Sequence, residues 1–308
     1  MSPLGIYIRG MLMGAADIVP GVSGGTMAFI TGIYDRLLGA IRAADIECLR
    51  LVLGADIKGA WRHIDGNFLL ALVLGIGTSV LSLAQLLSWL LETHPVPLWA
   101  FFFGLILASA LMLLKQVERW NWQRLVPLAL GTATALAIAL SPTLAWGDGP
   151  VAIFFAGFLA ICAMILPGIS GSFILVLIGM YATVLAAVKN FDIALLLILA
   201  CGAICGLLVF SRLLHWLLER FRQPTMALLT GFLFGSLAVV WPWKKVVHWI
   251  QDSQGLPKPA QQLPVSPGEF QVYSGQDPQL FLCMCLMVAG FVVVWLLESR
   301  WGVQPADS

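Results

Sequence analysis

Apolar residues run along this 308-residue chain in long blocks that short polar stretches separate. An α-helix needs about 20 mostly apolar residues to cross roughly 30 Å of hydrocarbon. Six blocks meet this length with almost no internal charge, and we predict a membrane-spanning helix in each, at residues 67–91, 98–115, 125–145, 191–214, 224–243 and 279–298. The pattern therefore predicts an all-α polytopic membrane protein.

Two further apolar blocks, residues 3–42 and 151–188, are too long for a single span. As one helix, each would measure on the order of 55 to 60 Å. Pro and Gly interrupt both blocks near the middle, in IVPGVSGGT (18–26) and ILPGISGSF (165–173). Because Pro removes a helical hydrogen bond and Gly frees the backbone, each block is predicted to be a re-entrant hairpin, with two helical arms that meet at a non-helical tip.

The two interrupted blocks are copies of each other. An offset of 147 residues places Pro20 on Pro167. The same offset aligns further identical residues: Ala16 with Ala163, Ile18 with Ile165, Gly21 with Gly168, Ser23 with Ser170, Gly24 with Gly171, Gly32 with Gly179, Tyr34 with Tyr181, Leu38 with Leu185 and Ala40 with Ala187. Without any gap, this agreement indicates an internal duplication.

The spans that follow the hairpins repeat as well, at an offset of 127 residues, since WLLE occurs at 89–92 and again at 216–219. An insertion in the first copy, the polar stretch 43–66, explains the smaller offset. Each repeat, 1–147 and 148–308, is predicted to contain one hairpin and three spans. Because three crossings are an odd number, the second repeat should be inserted upside down, as in many secondary transporters.

Composition supports this class and excludes others. Hydrophobic residues make up 60% of the chain and charged residues only 11%, against about 25% charged in a soluble domain. A net charge of +1 provides no basic surface for nucleic acid. The six cysteines and four histidines show no metal-binding spacing, so no metal and no cofactor is predicted.

Basic residues orient the chain, since most of the Lys and Arg side chains fall on one side of the predicted spans. The positive-inside rule places that side in the cytoplasm. Both termini should then be cytoplasmic, with the polar segment 246–278 forming a loop outside.

This topology is testable by labelling single-cysteine variants with an impermeant thiol reagent in intact cells. We expect labelling within 246–278 and none at Ser308, because only the first should face outside. Labelling of the Ser308 position from outside would contradict the predicted orientation.

The interrupted hairpins could form an anion site. Non-helical backbone at membrane depth is tolerated only where it is buried in protein or lines a cavity. After each Pro-Gly a new helix begins, and its first N–H groups carry the positive end of the helix dipole. Hydroxyls add further donors, so two facing tips would suit a phosphate through Gly21, Ser23, Gly24, Gly25, Thr26, Gly168, Ser170, Gly171 and Ser172. Alternatively, these small residues only cap and pack the broken helices.

Three long segments together resemble the polyprenyl-phosphate transporter family: ADIVPGVSGGTMAFITGIYDRLLGAI (16–41), AMILPGISGSFILVLIGMYATVLAAV (163–188) and GFLFGSLAVVWPWK (231–244). The resemblance covers essentially the whole chain. It implies a translocase, or flippase, of the bacterial inner membrane that returns undecaprenyl phosphate from the outer to the inner leaflet for cell-wall synthesis. The resemblance also implies that the tip residues from Pro20 onward and from Pro167 onward are the ones that bind the phosphate. Where the first copy has Gly25-Thr26 the second has Ser172-Phe173, which favours the first tip as the ligand.

Two charged residues near the first tip are further candidates. Arg36 is either an additional phosphate partner or an anchor at the cytoplasmic interface, and Arg9 has the same alternatives. Asp17 lies three positions before Pro20 inside an apolar arm, and its repeat partner is Met164. It could carry a proton, bind sodium, or cap the freed amides of the tip; an ionisable residue at this depth is functional by default.

Two other classes of protein could use the same motif. A rhomboid-like intramembrane serine protease has a Ser in GxSG at a helix start and a His on another span, and Ser23, Ser170 and His215 fit that description. A small-anion channel or exchanger could use the same paired helix N-termini. A duplicated motif favours a shared binding site over a single active serine, so we predict a transporter and not an enzyme.

Overall fold

A computed structural model describes residues 1–18, 23–117, 121–141, 147, 149–251 and 257–301. The described part of the first predicted repeat forms eight helices: α1 (Pro3–Ile18), α2 (Gly24–Ile30), α3 (Tyr34–Arg42), α4 (Ile46–Leu53), α5 (Ile57–His63), α6 (Gly66–Thr93), α7 (Pro95–Gln116) and α8 (Trp122–Leu140).

Helices also dominate the described part of the second predicted repeat: α9 (Pro150–Ile165), α10 (Gly171–Leu177), α11 (Tyr181–Lys189), α12 (Ile193–Arg220), α13 (Arg222–Val240), α14 (Pro267–Ser274) and α15 (Leu280–Trp301). Between α13 and α14, two antiparallel strands form a hairpin, β1 (Lys244–Gln251) and β2 (Pro257–Pro264). The predicted all-α class is confirmed, with this hairpin as its one departure in the described chain.

Five of the described helices are long and apolar enough to cross a membrane. They are α6, α7, α8, α12 and α15, and each corresponds to one of the six predicted spans. The sixth predicted span, 224–243, corresponds to α13, which is not among these five and ends at Val240. Most of α13 is buried, including Thr225, Gly231 and Ser236. The chain is thus a polytopic membrane protein with α13 in its interior.

Each interrupted block folds into three helices instead of the two predicted arms: α1 to α3 and α9 to α11. The additional break lies between α2 and α3 and between α10 and α11. Gly32 and Gly179 adopt φ of 70° and 74° there, a left-handed conformation that glycine accepts without steric cost. The prediction of two continuous arms was therefore wrong, because these glycines end the short helix after each tip.

The order and bounds of the helices repeat at the offsets found in the sequence. Helices α9, α10 and α11 occupy the bounds of α1, α2 and α3 shifted by 147 residues, and α12 occupies those of α6 shifted by 127. The polar insertion 43–66 contains α4 and α5, whose N-termini are capped by the side chains of Asp45 and Asp56. The inverted orientation of the second repeat stays a prediction.

Helix packing interleaves the two predicted repeats. Within each repeat, the helix before the tip packs along the first span, α1 on α6 and α9 on α12. Across the repeats, α8 packs along α13 and α15 along α7. Glycines lie at the closest approach of each pair, so that backbones touch directly: Gly10 with Gly75, Gly157 near Gly202, Gly131 with Gly231, and Gly104 near Gly290. Such small-residue contacts are the usual basis of helix association in membranes.

The polar segment 246–278, predicted only as a loop, is more ordered than its composition indicates. It contains most of β1, all of β2 and helix α14. A capping box fixes the start of α14, because Ser266 and Glu269 exchange side-chain and backbone hydrogen bonds. The sequence of β1, KKVVHWIQ, does not alternate between polar and apolar residues and follows a predicted span directly, so the strand was not predicted.

Two glycines of α6 test the α1–α6 contact. A Cβ at Gly75 would overlap the carbonyl oxygen of Tyr7, whereas a Cβ at Gly77 meets no atom within 4 Å. We expect Gly75→Ala to lower the free energy of unfolding by about 1–3 kcal/mol, the usual cost of overpacking. Gly77→Ala is the matched control and should be neutral or slightly stabilising. Thermal unfolding in detergent measures both, and equal stability of the two variants would contradict the contact.

Candidate functional site

The first tip is closed by hydrogen bonds within the chain. Ser23 is the N-cap of α2, and its hydroxyl accepts a bond from the Gly25 N–H at 3.1 Å. The Thr26 N–H donates to the Ser23 carbonyl at 2.9 Å. The Gly24 N–H donates to a carboxylate oxygen of Asp17 at 2.7 Å. The first amides of α2 are therefore occupied by groups of the protein itself.

Asp17 and Arg9 hold the two ends of α2 from the neighbouring helix α1. Arg9 is 6% exposed, and its Nε donates to the carbonyl oxygen of Thr31, the C-cap of α2, at 3.1 Å. The eight positions between Arg9 and Asp17 span about 12 Å on α1, close to the length of the seven-residue α2. A carboxylate at the helix N-terminus and a guanidinium at its C-terminus both match the helix dipole.

The two tips contact each other. The Ser23 hydroxyl donates to the Met164 carbonyl oxygen at 2.8 Å. The Gly168 N–H donates to the Thr26 hydroxyl oxygen at 3.0 Å. Ser23 and Thr26 are each 1% exposed, so these bonds lie inside the helical bundle. The predicted meeting of the tips is thus present in the structure.

Tyr34 adds a third contact that the sequence did not assign. Its hydroxyl donates to the Ile165 carbonyl oxygen at 3.0 Å, and the residue is buried. Gly25 lies against the same carbonyl, since a Cβ there would come within 2.6 Å of it. The signal was the tyrosine in both copies, at 34 and 181, but spacing alone does not show that a residue 14 positions after Pro20 reaches the other hairpin.

The second tip differs from the first in its polar partners. Gly168 has φ of +86°, and Ser170 begins α10 without a side-chain capping bond. The Ser170 hydroxyl instead shares a hydrogen bond of 2.8 Å with that of Ser172, which is exposed. Offset by 147 residues, Asp17 becomes Met164 and Arg9 becomes Ala156. The second hairpin thus lacks both charges that hold α2.

A small cavity adjoins the second tip. Its walls come from the tip, from α8 and from α13: Ala135, Ile138, Gly168, Ile169, Ser170, Ser236 and Val239. It has room for about one water molecule, which is less than a phosphate group needs. This cavity could hold a phosphate only if the helices that line it moved apart.

The remaining predicted site residues are placed as follows. Arg36 lies away from the tip contacts, with its Nε 2.7 Å from a carboxylate oxygen of Asp65 and its guanidinium 4.4 Å from the centre of the Phe68 ring. Both of its predicted roles stay predictions. Gly171 is buried against the backbone of α9. Gly21 lies outside the described residues.

Apolar helices surround two polar tips that meet in the interior. This arrangement defines a membrane protein built around a pair of interrupted helices. The chain belongs to the family described as undecaprenyl phosphate translocase-like, whose profile matches residues 13–258. This establishes the family that the sequence resembles.

Two relatives support the assignment. The chain is 48% identical over 299 residues to a polyprenyl-phosphate transporter of Vibrio cholerae, covering 97% of both chains. It is 32% identical over 262 residues to a polyprenyl-phosphate transporter of Staphylococcus aureus, covering 79% of this chain and 88% of that one. No solved structure gives a significant match.

The bond between the Gly168 N–H and Thr26 can be tested by Thr26→Val, which keeps the shape and removes the hydroxyl. An unsatisfied buried N–H costs about 1–3 kcal/mol, and we expect the free energy of unfolding to fall by that amount. Thr230→Val is the control, because that buried hydroxyl bonds only to Met226 of its own helix. Equal losses in thermal unfolding would show that the bond between Gly168 and Thr26 contributes nothing beyond an ordinary buried hydroxyl.

Proposed function

We propose that this protein is a translocase that moves undecaprenyl phosphate from the outer to the inner leaflet of the bacterial cytoplasmic membrane, with both termini cytoplasmic. The family and the names of its two relatives support polyprenyl phosphate as the substrate. The observation that carries the proposal is the contact between two polar tips in an otherwise apolar bundle. No covalent step is needed, so the protein is not an enzyme.

The physical obstacle to this transport is the phosphate, because the prenyl tail can remain in the bilayer throughout. A buried charge is costly unless it is paired or hydrogen-bonded. The tips offer buried hydroxyls on Ser23, Thr26 and Ser170, together with the backbone amides beside them. These donors replace part of the hydration that the phosphate loses.

Packing at the two ends of the bundle is unequal, which supports alternating access. Helix α3 packs against α12, and weak ion pairs join them and the start of α13: Arg42 to Glu219 at 3.9 Å and Asp35 to Arg222 at 4.0 Å. The equivalent helices α11 and α6 do not pack in this way within the described chain. In a duplicated fold, α11 and α6 would pack together while α3 and α12 separate. This exchange would close one side of the bundle and open the other.

The geometry favours a transporter over a serine protease. The Ser23 hydroxyl donates to a backbone carbonyl, and the His215 ring lies 2.9 Å from the Glu219 carboxylate four residues further along the same helix. A protease would need a base within hydrogen-bond reach of the serine, and no described histidine bonds to Ser23 or Ser170. A small-anion channel remains the alternative that uses the same tips.

Proteoliposomes with fluorescent or radiolabelled undecaprenyl phosphate test the proposal, since the protein should speed exchange between leaflets. Ser23→Ala and Ser170→Ala should each weaken binding of the lipid phosphate by about 1–3 kcal/mol, the value of a hydrogen bond to a charged group. Ser211→Ala is the control, because that buried hydroxyl bonds only to Leu208 of its own helix. Unchanged affinity in the Ser23–Ser170 double variant would refute the site, and chloride flux without lipid exchange would favour the channel.

A second experiment concerns coupling to an ion gradient through Asp17. The carboxylate already caps Gly24, and we propose that it also carries a proton or binds sodium while the lipid moves. Asp17→Asn keeps the shape but cannot ionise, so transport should no longer respond to an imposed proton or sodium gradient. Flipping in proteoliposomes under each gradient is the measurement. An Asn variant that responds like the parent would leave only the capping role.

A further inference from the structure

Lys244 lies just beyond the end of α13, the helix that also passes the second tip. Ser236 and Val239 of α13 line the cavity beside that tip, and the chain leaves α13 at Val240 to begin β1 at Lys244. The 19 residues of α13 span about 28 Å. Because Arg222 at the start of α13 lies near Asp35, Lys244 is at the opposite end of the bundle from the α3–α12 contact.

The Lys244 ammonium rests on one aromatic ring, and two neighbouring tryptophans of the same segment are fixed by hydrogen bonds. The ammonium lies 3.6 Å from the centre of the Trp99 ring. The Trp241 indole N–H donates to the Val265 carbonyl at 2.8 Å, and the Trp243 indole N–H donates to the Pro278 carbonyl at 2.9 Å. The rings of Trp241 and Trp243 also meet edge to face, with centroids 5.5 Å apart. Little conformational freedom would be lost when an anion binds to a lysine fixed in this way.

The described acidic groups at this end do not neutralise Lys244. The Glu269 carboxylate accepts bonds from the N–H and hydroxyl of Ser266, and Asp277 accepts a bond from the Gln279 N–H. None of the described ion pairs includes Lys244.

The other described charged or titratable neighbours point elsewhere. The Lys245 ammonium lies 5.3 Å from the centre of the Tyr273 ring, and the His94 ring lies against Trp89. Burial lowers the pKa of Lys244 to about 7. An ammonium that rests on an indole face and forms no ion pair with a carboxylate of the described residues would be stabilised by an anion.

We propose that Lys244 is the docking position at which a phosphate monoester is first bound before it reaches the tips, on the side of the membrane opposite the α3–α12 contact. The proposal rests on the proposed function, because it assigns the substrate's headgroup to this side chain. The prenyl tail would remain in the bilayer next to the apolar ends of α7 and α13. Trp99 supports the ammonium before the phosphate arrives.

The test compares Lys244→Gln with Lys245→Gln in the full-length protein. Measured at pH 6, below the pKa of Lys244 of about 7, both variants remove one positive charge from adjacent positions of the same strand, so general attraction between charges changes equally. We expect Lys244→Gln to weaken binding of undecaprenyl phosphate about tenfold or more, and Lys245→Gln to change it by less than about twofold. Binding of the uncharged polyprenol and thermal stability should be unchanged in both variants.

Two further measurements identify the ligand that binds at Lys244 and the protonation state of the Lys244 side chain. Inorganic phosphate should compete only weakly if the site takes the lipid headgroup, and strong competition would assign the site to free phosphate. Between pH 6 and 8 the parent should lose affinity more steeply than Lys244→Arg, because the lysine deprotonates near pH 7 while arginine stays charged.

The outcomes separate this proposal from the proposed function. Equal effects of the two Gln variants, or none from either, overturn the role of Lys244 while leaving transport by the parent intact. A parent protein that does not move the lipid overturns the proposed function itself.

Discussion

The backbone interruptions in the two hairpins constrain the rest of the structure. No water is available in the hydrocarbon to satisfy a freed N–H or C=O, so each break must find partners within the protein. In the first hairpin, Asp17 and Ser23 accept the first N–H groups of α2. In the second, the Met164 and Ile165 carbonyls and the Gly168 N–H bond to hydroxyls of the first hairpin, so the second hairpin depends on the first. The interleaved spans, with their glycine contacts, bring the two hairpins into that position.

Duplication has produced two hairpins with the same backbone pattern but different electrostatics. In the first, α1 supplies a carboxylate and a guanidinium to opposite ends of α2; in the second, the equivalent positions are Met164 and Ala156. The first short helix is thereby fixed to its neighbour by charge-assisted hydrogen bonds, which are stronger than neutral ones. Among the described residues, the second hairpin is held by neutral hydrogen bonds, three to the first hairpin and one between Ser170 and Ser172. Unequal stiffness of this kind would make the second hairpin the easier one to displace.

The sequence predicted most of the fold because membrane insertion leaves few options for an apolar block. Length and apolar character identified the five long spans, and the breaks predicted at Pro20 and Pro167 followed from lost helical hydrogen bonds. The breaks at Gly32 and Gly179 were missed, since one glycine in an apolar run is compatible with a continuous helix. The partner of Arg36, Asp65, was also missed because it lies 29 residues away beyond an insertion. Contacts between elements depend on packing geometry, which periodicity does not contain.

The energetics of the tips suit a transporter that must change state. In the described residues, three hydrogen bonds join the two hairpins directly, from Ser23, Gly168 and Tyr34. A neutral hydrogen bond contributes about 0.5–1.5 kcal/mol net, and one to a charged group about 1.5–3 kcal/mol. A phosphate that accepts bonds from two or three of the same donors would therefore offset the hydrogen bonds that break when the tips separate. The bound and closed arrangements would then differ by only a few kcal/mol, and a ligand shifts such an equilibrium effectively.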